Sequence, residues 1–254
     1  MSKFAEKLRC VYSGSTPPMG FRMSTEAEPA PLLMIAVLSK AIAKEAKGIA
    51  DLGIAAGIVS SQGLDAKGFG QLAKAIGDIP LGAFWESADK ETIAKSIDLG
   101  CDFVVFGLKT PLEAVNREGL GKILKIEPSL DQGLVRAING LPLPIDGVLL
   151  TGEESPLTIE QLLIYRRFAE LLDKPLLVTV RSVVTNDELS SLCEAGVNGL
   201  VLPEGFPTEA FAELKKSISS LSRKTKPRTK ATALLPRVGG KLEAEVEEEE
   251  EEEI

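Results

Sequence analysis

The sequence predicts an α/β protein built as one closed (β/α)8 barrel, and three observations lead to this prediction. Eight short apolar runs alternate with segments of helical periodicity between residues 31 and 221. The same helix ending recurs before several of these runs. Apolar residues make up 44% of the chain but aromatic residues only 5%, which favours a core of packed aliphatic layers.

The eight apolar runs are predicted to be parallel strands, since a helical segment separates each run from the next. They are rich in Val, Ile and Leu, and each is bounded by turn residues. The runs comprise residues 32–38, 55–61, 80–85, 102–108, 121–127, 145–151, 175–181 and 198–204.

The segments between the runs carry apolar residues at positions i, i+3 and i+4, and several stop at a glycine, as helices often do. Residues 110–119 predict the shortest helix, and residues 208–221 predict the last one. The other predicted helices comprise residues 40–53, 66–78, 90–100, 130–140, 157–173 and 185–196.

A weak internal repeat separates two kinds of strand start. Gly53, Gly100 and Gly196 end helices directly before the second, fourth and eighth runs, whereas Pro80 and Pro175 begin the third and seventh. Two alternating kinds of start around the chain favour a closed eight-stranded barrel. The alternative is an open doubly wound sheet, but its glycine-rich first turn is missing from this sequence.

Three regions are expected along the chain. Residues 1–30 predict a short amphipathic helix and a loop, residues 31–221 the barrel, and residues 222–254 a disordered tail. The tail consists of a basic linker followed by an acidic run. It is interpreted as a solvated segment, with contact to a basic partner as the alternative.

The first of these regions has two predicted parts. Phe4, Leu8 and Val11 have helical spacing and define the apolar face of the helix. In the loop that follows, Met19 and Phe21 are expected to close the floor of the barrel.

Composition excludes several classes of function. The chain contains no histidine, so Ser-His and Cys-His nucleophile systems are absent and a zinc site of the usual kind is nearly excluded. The formal net charge of −8 gives no basis for general nucleic-acid binding. No apolar stretch is long enough for a membrane span, and the charged N-terminus lacks the apolar core of a signal peptide. A cytoplasmic protein is therefore expected.

Two segments carry a family resemblance. "LGCDFVVF" (99–106) and "AGVNGLVL" (195–202) look like strands of aldolase-type and phosphate-binding TIM barrels, which often carry a Gly-Val/Ala-Asp-Gly strand start. The resemblance implies the fold over residues 31–221. The chain departs from the phosphate-binding pattern after the last strand, because Glu204 stands where a glycine-rich loop would hold phosphate.

Candidate site residues follow from the rule that barrel enzymes act at the carboxyl ends of their strands. Alternation places Lys125 and Glu127 on the inner side of the fifth strand, where we expect the catalytic groups. A desolvated lysine is a nucleophile at neutral pH. The expected substrate-binding residues are Arg181, Lys109, Glu86 and Glu153.

Two other interpretations of these residues remain open. One is a structural Lys–Glu–Arg network that fills the upper barrel. The other is a magnesium site formed by Glu86, Glu127 and Glu153, although no acidic motif supports it and no metal site is predicted.

Three functions are compatible with this site. The first is a lyase or isomerase that acts on a small anionic metabolite at the mouth of the barrel, with the lysine either transferring a proton or forming a Schiff base. The alternative is a non-catalytic barrel that binds a ligand or serves as an assembly subunit. The second alternative is a flavin-dependent oxidoreductase. The sequence names no cofactor and leaves the oligomeric state open, a homo-oligomer included.

Overall fold

A computed structural model of the chain describes residues 1–13, 30–38, 46–60, 66–85, 97–152, 156–180 and 184–221. The chain divides into one unit from Met1 to Arg223 and a second from Lys224 to Ile254. All described residues belong to the first unit. The predicted tail lies outside the described residues, so the structure bears on the barrel alone.

All eight apolar runs form strands, and each strand pairs in parallel with the next. Because β8 also pairs with β1, the sheet closes on itself. The predicted barrel is confirmed, and the open doubly wound sheet is wrong. The strands are β1 Leu33–Leu38, β2 Ala56–Ser60, β3 Leu81–Trp85, β4 Phe103–Gly107, β5 Gly121–Ile126, β6 Gly147–Leu150, β7 Leu176–Thr179 and β8 Val197–Leu202.

In the described part of the chain, helices follow the strands in the predicted order, and the shortest of them is α4, as expected. The helix predicted at 90–100 lies largely outside the described residues, although Ile97 and Asp98 are helical. None of the helices in the described part of the chain is long and apolar enough to cross a membrane. The helices are α1 Lys3–Ser13, α2 Ala46–Asp51, α3 Ala66–Ile76, α4 Leu112–Val115, α5 Gln132–Ala137, α6 Ile159–Leu171, α7 Asn186–Ala195 and α8 Thr208–Ser220.

The repeated glycines mark helix ends, as the sequence predicts. Gly53, Gly100 and Gly196 have φ of +81°, +92° and +96°, a region that side chains with a Cβ rarely adopt. The N–H of each donates to a carbonyl three residues earlier, at 2.9 to 3.0 Å. Each glycine therefore ends one helix and turns the chain into the next strand.

The barrel interior is built in layers of four residues, each layer supplied by alternate strands. The hydrogen-bonded register places one apolar layer on the even-numbered strands, and none of its members is more than 4% exposed. The layer below it comes from the odd-numbered strands. The even layer consists of Ile58, Val105, Leu149 and Val201; the odd layer consists of Ile35, Gly82, Ile123 and Leu177.

The outer faces of the strands pack against the helices. Leu124, Ile126 and Val178 belong to this outer core and are buried, as the alternation along β5 and β7 predicts. The register of β5 with both neighbouring strands is regular, so inward-facing and outward-facing residues alternate along the whole strand. Lys125 therefore lies on the inner side.

Helix α1 closes the floor of the barrel, meaning the end where the strands begin. Its residues Phe4, Leu8 and Val11 are buried in the interior cluster. The Phe4 ring lies 4.3 Å from the Phe103 ring, measured between centroids. From the sequence, Met19 and Phe21 are expected to close the floor, and both residues lie outside the described part of the chain.

An acidic residue just before β4 holds the start of α1. The Asp102 carboxylate accepts hydrogen bonds from the Ser2 hydroxyl at 2.7 Å and from the backbone N–H groups of Lys3 and Phe4 at 2.8 and 2.9 Å. Helix N-termini have unpaired N–H groups, and a carboxylate satisfies them well. The first turn of α1 is thus fixed by a residue a hundred positions away in sequence.

Further polar contacts hold the rest of α1 to the floor. Arg9 forms an ion pair with Asp146 at 3.0 Å, and Lys7 donates to the carbonyl of Ala55 at 2.9 Å. Burial lowers the pKa of Lys7, and the nearby Asp102 charge opposes this. The pKa of Lys122 is also lowered by burial, while Asp146 opposes the shift. The ionised side chains of the floor thus have defined partners.

Candidate active site

The uppermost complete layer of the barrel lies at the carboxyl ends of the odd-numbered strands. It consists of Val37, Phe84, Lys125 and Thr179, which follow from the same register as the layers below. All four are half-buried, whereas the layer beneath is sealed. This layer therefore forms the base of the mouth, which is where barrel enzymes place their chemistry.

Lys125 is the charged member of this layer. Its Nζ lies 4.7 Å from the centroid of the Phe84 ring, close enough for a cation–π contact. On the two strands that flank β5, the residues paired with Lys125 are Gly107 of β4 and Leu149 of β6. Among the described residues, a Cβ added at Gly107 would meet no atom within 4 Å. Open space thus adjoins the lysine.

Thr179 fixes the chain where β6 ends. Its hydroxyl accepts a hydrogen bond from Gly152 N–H at 2.7 Å and lies 3.2 Å from the Gly152 carbonyl, to which it donates. A Cβ at Gly152 would lie 2.7 Å from the Tyr165 hydroxyl oxygen, so only glycine fits there without movement. Burial raises the pKa of Tyr165, which therefore stays a neutral phenol. These contacts set the direction in which the chain leaves β6.

Two predicted site residues follow the strand ends in described loops. Glu127 is exposed in the turn after β5, and its carboxylate accepts a hydrogen bond from Ser129 at 3.4 Å. Lys109 is exposed in the turn after β4, which a bond from Thr110 N–H to the Gly107 carbonyl closes. Both lie at the mouth end of the barrel, and Lys125 lies below them.

The remaining predicted site residues, Glu86, Glu153 and Arg181, lie outside the described residues. In the sequence, Glu86 directly follows β3, and Glu153 and Arg181 come shortly after the ends of β6 and β7. All three of these strands end at the mouth. Within the described ranges, no group of three acidic or cysteine side chains is arranged to hold a metal ion. The magnesium interpretation rests on Glu86 and Glu153 and stays untested.

The loop after β8 has no glycine-rich phosphate cradle. Phe206 N–H bonds to the Pro203 carbonyl, which makes a tight turn with Glu204 exposed. Phe206 then packs edge-on against Phe211 at 5.0 Å, a hydrophobic staple at the start of α8. Glu204 is thus an exposed acidic residue in a short turn, and the expectation that this loop does not hold phosphate stays a prediction.

The helices that follow β6 and β7 begin with capping boxes. Thr158 and Gln161 cap α6, and Thr185 and Glu188 cap α7. Hydrogen bonds from Thr185 lower the pKa of Glu188. These local contacts fix the far ends of two mouth loops.

The cysteines are core or surface residues of the described fold. Cys101 is buried before β4 and donates to the Phe103 carbonyl, and burial raises its pKa to about 12. Cys10 is exposed on α1 and Cys193 is half-buried on α7. Cys101 is thus a protonated core thiol.

Sequence reasoning missed Phe84 and Thr179 as members of the site layer. The signal was their position as the fourth residue of β3 and β7, but only the register shows that these residues share a layer with Lys125. An aromatic residue in an apolar run otherwise predicts only core packing.

Comparison with known proteins places the chain in a class of folds. No protein-family model and no curated protein matches the sequence. Among solved structures, a mutant tryptophan synthase alpha-subunit from Pyrococcus furiosus matches with a TM-score of 0.57 at 14% identity, over 74% of this chain and 96% of that chain. The native KDPGal structure matches with a TM-score of 0.55 at 18% identity, over 74% and 93%.

A third similar structure is dihydropteroate synthase from Thermus thermophilus, with a TM-score of 0.55 at 14% identity over 75% of this chain and 93% of that one. Together with the closed barrel, these matches show that the chain has the aldolase-type TIM-barrel fold. At such low identity the likeness concerns the fold alone.

Proposed function

We propose that the chain is a TIM-barrel lyase or isomerase that acts on a small anionic carbonyl compound, with Lys125 as its catalytic amine. The observation that carries this proposal is the place of Lys125 in the barrel. It is the charged side chain of the uppermost layer, above a sealed apolar layer and beside open space at Gly107. The carboxyl ends of the strands are also where barrel enzymes place their reactive groups.

The amine would react as follows. Nζ adds to the substrate carbonyl carbon, and the oxygen leaves as water, which forms a protonated Schiff base. This iminium takes up the electron pair of the carbon–carbon or carbon–hydrogen bond that breaks next. Its positive charge would lie where the ammonium group lies now, over the Phe84 ring, whose face attracts cations.

The other predicted residues have supporting roles in this proposal. Glu127, above Lys125 at the end of β5, would carry the proton to or from the substrate. Arg181 and Lys109 would hold the anionic group of the substrate, since cationic side chains form strong hydrogen bonds to carboxylate and phosphate. Glu86 and Glu153 would contact its polar end at the rim.

Borohydride trapping tests the proposal. The protein is incubated with a panel of small aldehydes, ketones and 2-oxo acids, reduced, and examined by intact mass spectrometry and peptide mapping. We expect a substrate-dependent adduct at Lys125, lost in Lys125→Met at an unchanged melting temperature. Lys122 of the same strand is the internal control, because it lies at the floor with its ammonium bonded to the carbonyls of Arg117 and Leu120.

A second variant tests the open space beside the amine. Gly107→Leu extends a side chain into that space, and its Cβ meets no described atom within 4 Å, so we expect an adduct yield lowered about tenfold, with the melting temperature as the check on the fold. No adduct at Lys125 with any carbonyl, in a folded protein, would contradict the lyase proposal and favour the non-catalytic barrel. A yellow protein on purification would instead favour the flavin-dependent alternative.

Self-association is a further proposal. One similar structure is a cage built by fusing symmetric oligomeric domains, with a TM-score of 0.55 at 18% identity. Sedimentation velocity on the full chain, at several concentrations, distinguishes a homo-oligomer from a monomer. A cytoplasmic location and a basic partner for residues 222–254 also stay predictions.

A further inference from the structure

Helix α6 carries more apolar residues than its packing against the barrel uses. Tyr165 and Phe168 face the core and are buried, and Leu162 packs against the same core. Ile159 and Leu163 lie one turn apart on the opposite side of the helix and are 79% and 66% exposed. These two residues form an exposed apolar ridge, the α6 ridge. On α7 and α8, by contrast, every exposed residue is polar or charged.

A cation and an anion flank the α6 ridge on the side of α5. Arg136 lies one helical turn before Asn139, whose amide donates to the last carbonyl of α6, so Arg136 is turned toward α6. Glu160 lies two turns before Arg167, which donates to the Pro128 carbonyl near the start of α5, so Glu160 is turned toward α5. Both side chains are exposed, and neither has a hydrogen bond or an ion pair within the described part of the chain.

We propose that this surface, the α6 ridge with Arg136 and Glu160, is the contact face of a symmetric dimer of this chain. The inference rests on the self-association proposed above and adds the surface that mediates it. In a two-fold dimer the same patch meets itself, so the patch must be complementary to its own copy. Here the ridge of one copy packs on the ridge of the other, and Arg136 of each copy lies opposite Glu160 of the partner subunit.

The charges favour a second copy over other occupants of this face. Further along it, Arg166 and Glu170 pair with each other at 2.6 Å, so the face as a whole carries no excess of either sign. An anionic membrane surface attracts basic segments, whereas the whole chain has a formal net charge of −8. A partner of one strong charge would leave either Arg136 or Glu160 opposite a like charge. A second copy supplies both opposite charges at once.

Charge reversal tests the surface, with the dimer dissociation constant of the full chain measured by sedimentation velocity. Arg136→Glu or Glu160→Arg alone places like charges together at two symmetric positions, so each should raise the constant about tenfold. The double variant restores opposite charges and should return to within about threefold of the parent protein. Lys216→Glu, on the exposed face of α8, makes the same change in net charge as Arg136→Glu and should leave the constant unchanged.

A second set of variants removes the apolar contact. Ile159→Ser combined with Leu163→Ser truncates the ridge in both copies and should raise the dissociation constant at least about a hundredfold. Because both side chains are exposed in the single chain, the circular dichroism spectrum should stay that of the parent protein.

The outcomes separate this inference from the proposals before it. A dimer that persists unchanged in all of these variants overturns the α6 surface and leaves self-association standing. A trimer or a larger ring of the parent protein overturns the two-fold contact. A chain that stays monomeric at every concentration overturns both the surface and self-association, and none of these outcomes bears on the role of Lys125.

Discussion

The two ends of the barrel are closed by different kinds of interaction. At the floor, α1 covers the strand ends with buried apolar residues, and its start is bonded to Asp102, a hundred positions away in sequence. At the mouth, the described contacts are mostly local, such as the capping boxes that begin α6 and α7. Within the described residues, the floor thus depends on long-range packing, whereas the mouth combines local capping boxes with the contact of Thr179 to Gly152.

The charged groups differ in the same way. At the floor, each of Lys7, Arg9 and Lys122 donates to a defined carbonyl or carboxylate. At the mouth, Lys125 lies over an aromatic ring in an apolar layer. The charged groups of the floor thus tie α1 and the strand starts together.

The largest expected effect comes from opening the floor. Phe4→Ala removes a fully buried ring that stacks on Phe103 and leaves a cavity, which should lower the free energy of unfolding by about 3–5 kcal/mol. Urea unfolding followed by circular dichroism measures this loss. Glu6→Ala, on the exposed face of the same helix, is the control and should change stability by less than about 0.5 kcal/mol. Equal losses in both variants would show that α1 is not part of the core.

A smaller effect is expected at the mouth. Gly152→Ala places a methyl group 2.7 Å from the Tyr165 hydroxyl oxygen, which should destabilise the protein by about 1–3 kcal/mol. Tyr165→Phe removes that oxygen and should rescue most of the loss in the double variant. A double-mutant cycle on unfolding free energies measures the coupling. Additive losses would contradict the contact between the two residues.

The architecture of the barrel was largely predictable from sequence because its signals are local. Each strand is a short apolar run. Gly53, Gly100 and Gly196 end their helices because the positive φ needed there is one that glycine adopts readily. The role of α1 was not predictable. The spacing of Phe4, Leu8 and Val11 defines an apolar face, but nothing in the spacing tells what that face covers.

The candidate site was predictable in part. Alternation along β5 places Lys125 inside, and the structure agrees. Its neighbours Phe84 and Thr179 come from strands far apart in sequence, and the stagger between strands decides which residues share a layer. Asp102 was missed for a similar reason, since an acidic residue before a strand gives no sign that it caps a distant helix.

The smallest expected effect concerns a single capping box near the mouth. The Glu188 carboxylate accepts hydrogen bonds from Thr185 N–H and the Thr185 hydroxyl at 2.8 and 2.9 Å, and its pKa is lowered from the usual 4.5. A carboxylate with a lowered pKa stabilises the fold above its unfolded pKa and loses this contribution as the pH falls through the folded value. Because the group is largely exposed, we expect only about 0.5 kcal/mol at pH 7.

Thermal unfolding of Glu188→Gln between about pH 7 and pH 3 tests this prediction. The variant should be less stable than the parent protein at pH 7, and the difference should shrink below about pH 4.5 and vanish once the pH is below the lowered pKa of Glu188. The box of α6 carries a neutral glutamine at the same position, so Gln161→Glu should add a pH-dependent gain of the same sign. A difference that persists at low pH would assign the effect of Glu188 to side-chain packing rather than charge. The capping box of α7 would then hold its loop by contacts that do not titrate.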